Sequence, residues 1–269
     1  MDARATGLGL TSIQEINALP REMAEALYLR LVPGELQRRL EISPSTLCRP
    51  DGARLVRVTA PEDRPWARVE VRAEPGDRDP MLLVDVEMSA MSVPELAFVQ
   101  INDPAAPRYG IDRDAGGHDT LFGTASRNLD EEARAMRDGL APGQVRRGLG
   151  MLARVLQCME AFCGIIGKDL YLIDPLFYHS AILYERRGCG YIMGREIMEL
   201  VHDQFSQTGA LTRGLDGATP FRAPGAGLTV RGRSWALHDG VSGHAWGGVK
   251  MYKATGRHAG VNTFPGGLY

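Results

Sequence analysis

Four short segments between residues 54 and 102 alternate apolar and polar side chains, and this period of two constrains the fold more than any other feature. They are Arg54–Val58, Arg68–Ala73, Met81–Met88 and Leu96–Asn102. Successive side chains of a strand point to opposite faces, so alternation marks a strand with one buried face and one wet face. Runs of Pro, Gly and Asp such as APEDRP and EPGDRDP separate them. Connections that short join antiparallel neighbours. A four-strand antiparallel meander is therefore expected. Asp85 and Glu87, two apart on the third strand, share a face.

The flanks change period. Residues 11–41 read as helical with a break at Pro33-Gly34, since Met23, Ala26, Leu27 and Leu31 recur at helical spacing. Residues 103–128 read as a long loop, a length that in compact domains often accompanies function. Asn128 is placed to cap a helix over residues 129–137, stopped by Gly139. A stronger helix follows Gly150, with Met151, Leu152, Val155, Leu156, Met159, Phe162 and Cys163 on one face. A short strand at Leu170–Ile173, a helix at Ser180–Arg187, a strand from Tyr191 and a helix over 196–206 complete the pattern. The last sixty or so residues are rich in Gly, with LTVRG and SWALHD reading as strand-like pieces and an irregular end.

These elements predict an α+β protein: a mixed, mostly antiparallel central sheet flanked by helices, with an N-terminal helical segment and a Gly-rich tail. The expected division is 1–50 for the helical segment, 51–206 for the α/β domain with an insertion near 103–142, and 207–269 for the extension. At 269 residues and 44% hydrophobic content the chain can bury a sizeable core. A net charge of −2 does not mark the whole chain for nucleic acid. No apolar run reaches the roughly 18 residues of a membrane span, and the opening residues carry no apolar signal core. A cytoplasmic location is the expectation. None of the four cysteines forms a CxxC pair, so reduced thiols are expected.

The chemistry-bearing stretch opens with Arg146-Arg147-Gly148-Leu149-Gly150 directly before the strong helix. A helix amino end offers unpaired N–H groups and partial positive charge, and glycines let a diphosphate come close. The two arginines can add charge-assisted bonds. The phrase Ser180-Ala181-Ile182-Leu183-Tyr184-Glu185-Arg186-Arg187-Gly188 follows, with Gly150 and Tyr184 34 residues apart. Over about residues 143–195 the chain resembles the GNAT superfamily of acyl-CoA N-acyltransferases. That family carries Q/R-x-x-G-x-G/A before its cofactor helix and A-x-x-L-Y-E-K-x-G-F after the next strand. Three departures stand out. Val145 takes the Q/R place, with Gln144 one residue early. Cys189 replaces the aromatic. A helix at 129–137 lies where the family has a strand leading into the turn.

The resemblance implies an acyltransferase using acetyl-CoA or another acyl-CoA as co-substrate. Residues Val145, Arg146, Arg147, Gly148, Leu149 and Gly150 would bind the pyrophosphate. The strand ending at Ile173 would splay from its neighbour to admit the pantetheine, and Tyr184 would be the general acid. Glu87 is the candidate base, against its reading as part of a solvated strand face. The acceptor would be a small-molecule or peptide amine. An acyl-carrier protein is an alternative donor that Arg146, Arg147, Arg186 and Arg187 would meet, and a homodimer is a further partner to test. A GNAT-like binding or assembly module without turnover is the second reading. A metal-dependent hydrolase is the third, resting on the dipeptides His118-Asp119, His202-Asp203 and His238-Asp239. Those pairs have no further ligands at metal-binding spacing, so no metal is assigned. His179 is a candidate for orienting substrate.

Overall fold

The computed structural model describes residues 9–269, so the reading of the opening residues falls partly outside the described residues. Seven strands and nine α-helices among the described residues make an α+β protein. The chain forms two compact units. One holds the described residues up to Ala105 with Gly148–Asp174 and Tyr252–Arg257. The other holds Ala106–Arg147, Pro175–Met251 and His258–Tyr269. The insertion after the meander thus belongs to the same unit as most of the C-terminal half.

In the first unit, helices α1 (Ile13–Asn17), α2 (Arg21–Tyr28) and α3 (Gly34–Arg39) precede the sheet. Ser12 caps α1 by accepting from Glu15 N. Asn17, buried at its end, donates to the carbonyls of Pro61, Arg64 and Trp66 and so pins the turn over residues 60–65. The meander is β1 (Val56–Thr59), β2 (Trp66–Val71), β3 (Leu82–Met88) and β4 (Pro94–Ile101), each antiparallel to the one before. Ala67, Val69 and Val71 are buried while Trp66, Arg68 and Glu70 are half-buried, so the alternation in VEVRA does sort two faces. On the polar face Arg68 clasps Asp85 with two bonds of 2.7 and 2.6 Å.

Strand β5 (Leu170–Ile173) joins β4 in parallel, fed by helix α5 (Leu152–Ile165). The apolar stripe of α5 buries Val155, Leu156, Met159, Phe162 and Cys163. Phe162 stacks on Tyr28 with ring centroids 5.7 Å apart. Burial raises the Cys163 thiol to about 12, which makes it an inert core residue. The closing residues of β7 (Lys250–Ala254) lie in this unit, where Thr255 N donates to Asp169 O and buried Lys253 meets Glu160 at 3.3 Å.

The second unit contains α4 (Leu129–Arg137), α6 (Tyr178–Glu185), β6 (Gly190–Met193), α7 (Arg195–Gln204), α8 (Ala210–Arg213) and α9 (Val230–His238). Asn128 caps α4, accepting from Glu131 N. The strand reading of LTVRG and SWALHD is corrected: most of both pieces form α9. Thr229 caps that helix by accepting from Gly232 N at 3.0 Å. Val230, Arg233, Ser234, Trp235 and Leu237 are buried along it. Trp235 Nε1 donates to Leu140 O, which ties α9 to the segment after α4. The irregular end is ordered against the same helix, with Val230 N donating to Leu268 O at 2.7 Å.

Candidate functional site

The most unusual backbone feature of the first unit is the way β4 and β5 part. Their parallel register covers only Glu95↔Leu172 and Leu96↔Ile173, although β4 runs on to Ile101. The separation coincides with a bulge. Against β3, Asp85 faces Phe98 but Val86 faces Leu96, so Ala97 is an extra residue in β4. A bulge bends its strand and takes one residue out of the ladder. Beyond Leu96, β4 therefore continues for about 15 Å without β5 as a ladder partner.

That stretch ends at the glycine turn. A Cβ on Gly148 would sit 3.1 Å from Ile101 O, so the turn packs against the last residue of β4 and leaves little room for a side chain. Gly150 has φ +72°, a conformation that L side chains rarely adopt, and nothing lies within 4 Å of its missing Cβ. Helix α5 begins there with no side-chain cap. No backbone N–H from Gly148 to Ala153 donates a hydrogen bond among the described residues. Such an uncapped amino end leaves its first N–H groups without intrahelical partners.

The other residues singled out from sequence take varied positions. Ile173 is the last residue of β5 and half of the final β4–β5 pair. Leu149 is half-buried within the turn. Val145 is buried in a small core with Tyr109, Ile111, Ala135 and Leu140, and its carbonyl accepts from Tyr109 N. Arg146 is half-buried and donates to Ala106 O at 2.5 Å, while Arg147, Arg186 and Arg187 are exposed. Val145, Arg146 and Arg147 belong to the second unit, Gly148 and Gly150 to the first.

Glu87 lies directly opposite Glu95 across β3 and β4, on the face that also carries Arg68 and Asp85. It is half-buried and makes no hydrogen bond or ion pair among the described residues, whereas Asp85 is held by Arg68. Of the two acids read from sequence, Glu87 is the one without an ion-pair partner among the described residues. Tyr184 is buried in the second unit, and burial pushes its phenol above the ordinary tyrosine range. It therefore stays protonated at neutral pH.

The histidines serve the second unit's interior. His179 is buried, its Nδ1 2.9 Å from Ser234 Oγ; burial, together with His238 and Arg231, lowers it to about 3. His238 Nε2 lies 3.2 Å from Glu132 Oε1. Arg127 bridges Glu132 and Asp239, and Arg222 also binds Asp239. Sequence gave no sign of this network, whose partners lie up to 112 residues apart. Among the described residues no group of three or more His, Cys, Asp or Glu is arranged to hold a metal ion, and no helix is long and apolar enough to cross a membrane. No protein-family model matches the chain, and neither a curated protein nor a solved structure matches it.

Proposed function

We propose that this chain is an acyltransferase that moves an acyl group from acyl-CoA, or from an acyl-carrier protein, to an amine. The observation that carries the reading is the separation of β4 from β5 at Leu96 and Ile173, leading directly to the uncapped glycine turn of α5. A nucleotide thioester needs those two features together. Its diphosphate takes the free amides of Gly148–Ala153, and its extended arm lies along the part of β4 beyond its register with β5. This is the arrangement the GNAT resemblance implies.

In this reading the bulged backbone near Ala97 offers an N–H to the thioester carbonyl and stabilises the developing oxyanion. The amine nitrogen attacks that carbonyl carbon. Glu87 takes a proton from the nitrogen, directly or through water. The C–S bond breaks, and the departing thiolate takes a proton, the general-acid role that the GNAT resemblance gives Tyr184. A phenol that burial keeps protonated suits that role. Arg146 and Arg147 add positive charge near the phosphates or toward a carrier protein's acidic surface.

The test is release of free thiol from acetyl-CoA and longer acyl-CoAs with a panel of amines. Amine-dependent release supports the reading. Saturable CoA binding without release under any acceptor would assign the chain to the binding-module alternative. Absence of CoA binding altogether would refute both.

A further inference from the structure

Strand β6 ends the sheet order without the usual protection of an edge. It has β7 as its neighbour, and among the described residues no strand lies on its other side. An edge strand offers a row of N–H and C=O groups to any extended chain, and proteins commonly block it with a charge, a proline or a bulge. β1, at the other end of the order, carries exposed Arg57 and is followed by Pro61. β6 reads Gly190-Tyr191-Ile192-Met193, with neither a charge nor a proline.

Burial sets β6 apart as well. Successive side chains of a strand point to opposite faces, so one of two neighbours is ordinarily covered. Ile192 and Met193 are adjacent and apolar, yet they are 53% and 54% exposed. Tyr191 is tied inward instead, donating to the buried Glu185 at 2.5 Å. Leu200, on the outer face of α7, is a third exposed apolar side chain. All these residues belong to the second unit.

The charges at the two ends of β6 indicate what the edge fits. Arg186 and Arg187, both exposed, precede the strand. Helix α7 begins after Gly194, and its exposed face carries Glu196, Glu199 and Asp203. The one arginine there, Arg195, is paired with Glu199. One end is therefore basic and the other acidic. A strand of that polarity is complementary to itself when turned antiparallel. A two-fold axis through Tyr191 and Ile192 sets the basic end of each copy against the acidic end of the other. A parallel copy would bring like charges together.

We propose that the outer edge of β6 binds a second copy of this chain, the two strands pairing antiparallel with Ile192 and Met193 at the centre and Arg187 facing the partner's Glu196. The inference is independent of the acyl-transfer reading. A pair of four-residue strands is a small contact, so association is expected on the order of micromolar.

Sedimentation equilibrium of the full chain, from about 1 to 100 μM, tests this. The wild-type protein is expected to show a reversible monomer–dimer equilibrium. Ile192→Lys puts a charge on the edge and is expected to weaken the dimer at least about 10-fold. Arg187→Glu and Glu196→Arg each bring like charges together and are expected to weaken it about 3- to 10-fold. The double variant is expected to recover the wild-type affinity within about twofold, as a self-complementary pair requires. Should Ile192→Lys fail to fold, the charge reversals decide, since both of those residues are exposed. A chain that stays monomeric at every concentration overturns the proposal and leaves the edge to a segment of another protein. A dimer that Ile192→Lys leaves intact overturns it too. So does a dimer that the single reversals weaken and the double variant does not restore.

Discussion

Replacing Gly150 by Ala separates a strained turn from a ligand contact. The residue sits at φ +72°, where an L side chain costs roughly 1–2 kcal/mol. No atom lies within 4 Å of the added methyl, so no clash adds to that cost. A loss of this size lowers the melting temperature of a chain this long by roughly 2–4 °C. The effect on acyl-CoA should be larger. A methyl at that point keeps a phosphate oxygen from the Gly150–Ala153 amides, and losing one charge-assisted hydrogen bond weakens binding by about 10- to 100-fold. Gly167 supplies the control. It follows α5 at the opposite end, has φ +65° and equally open space, so Gly167→Ala imposes the same strain far from the turn. Calorimetric titration of acetyl-CoA into the three proteins, with melting curves alongside, reads both effects. If Gly150→Ala and Gly167→Ala lose equal stability and bind acetyl-CoA equally, the assignment of the diphosphate to this turn is refuted.

Tyr184→Phe should lower turnover by roughly 10²-fold or more while leaving acetyl-CoA affinity within about twofold, the signature of a lost proton donor; equal losses in both would make Tyr184 a packing residue. Phe162→Ala should cost about 3–5 kcal/mol in chemical denaturation, because the ring is fully buried against Tyr28; a loss under 1 kcal/mol would contradict the described core. His179 binds its proton more weakly folded, near about 3, than unfolded. Its contribution to stability is thus complete above its unfolded value near 6.5 and is lost as pH falls from there toward 3. Denaturation midpoints should fall over that window, and His179→Gln should flatten the slope; an unchanged slope would remove His179 as the cause.

The elements whose period agrees with their burial were legible in the sequence. Ala67, Val69 and Val71 alternate in β2, and Val155, Met159 and Phe162 follow one stripe of α5, so local pattern and tertiary role coincide there. Helix α9 was not legible. Gly232 and the β-branched Val230 weaken its helical pattern, and buried Arg233 and Ser234 look in sequence like surface residues. Strand β7 hid for a related reason, since Lys253 occupies one of its buried positions. At the candidate site, the glycine turn and the helix behind it could be read from composition and periodicity. The parting of β4 from β5 was expected only through the family resemblance, because it depends on which backbone groups of two distant segments fail to pair. The opposition of Glu87 to Glu95 is likewise a matter of register, which a bulge at Ala97 resets without any mark in residue type.

Hydrogen exchange of the full chain with and without acetyl-CoA tests the central claim most directly. The account predicts slowed exchange at residues 97–101 and 148–153 together, since one ligand would cover β4 beyond its register with β5 and the free amides at the start of α5. Binding that protects neither stretch, or that protects only residues elsewhere in the chain, would contradict it.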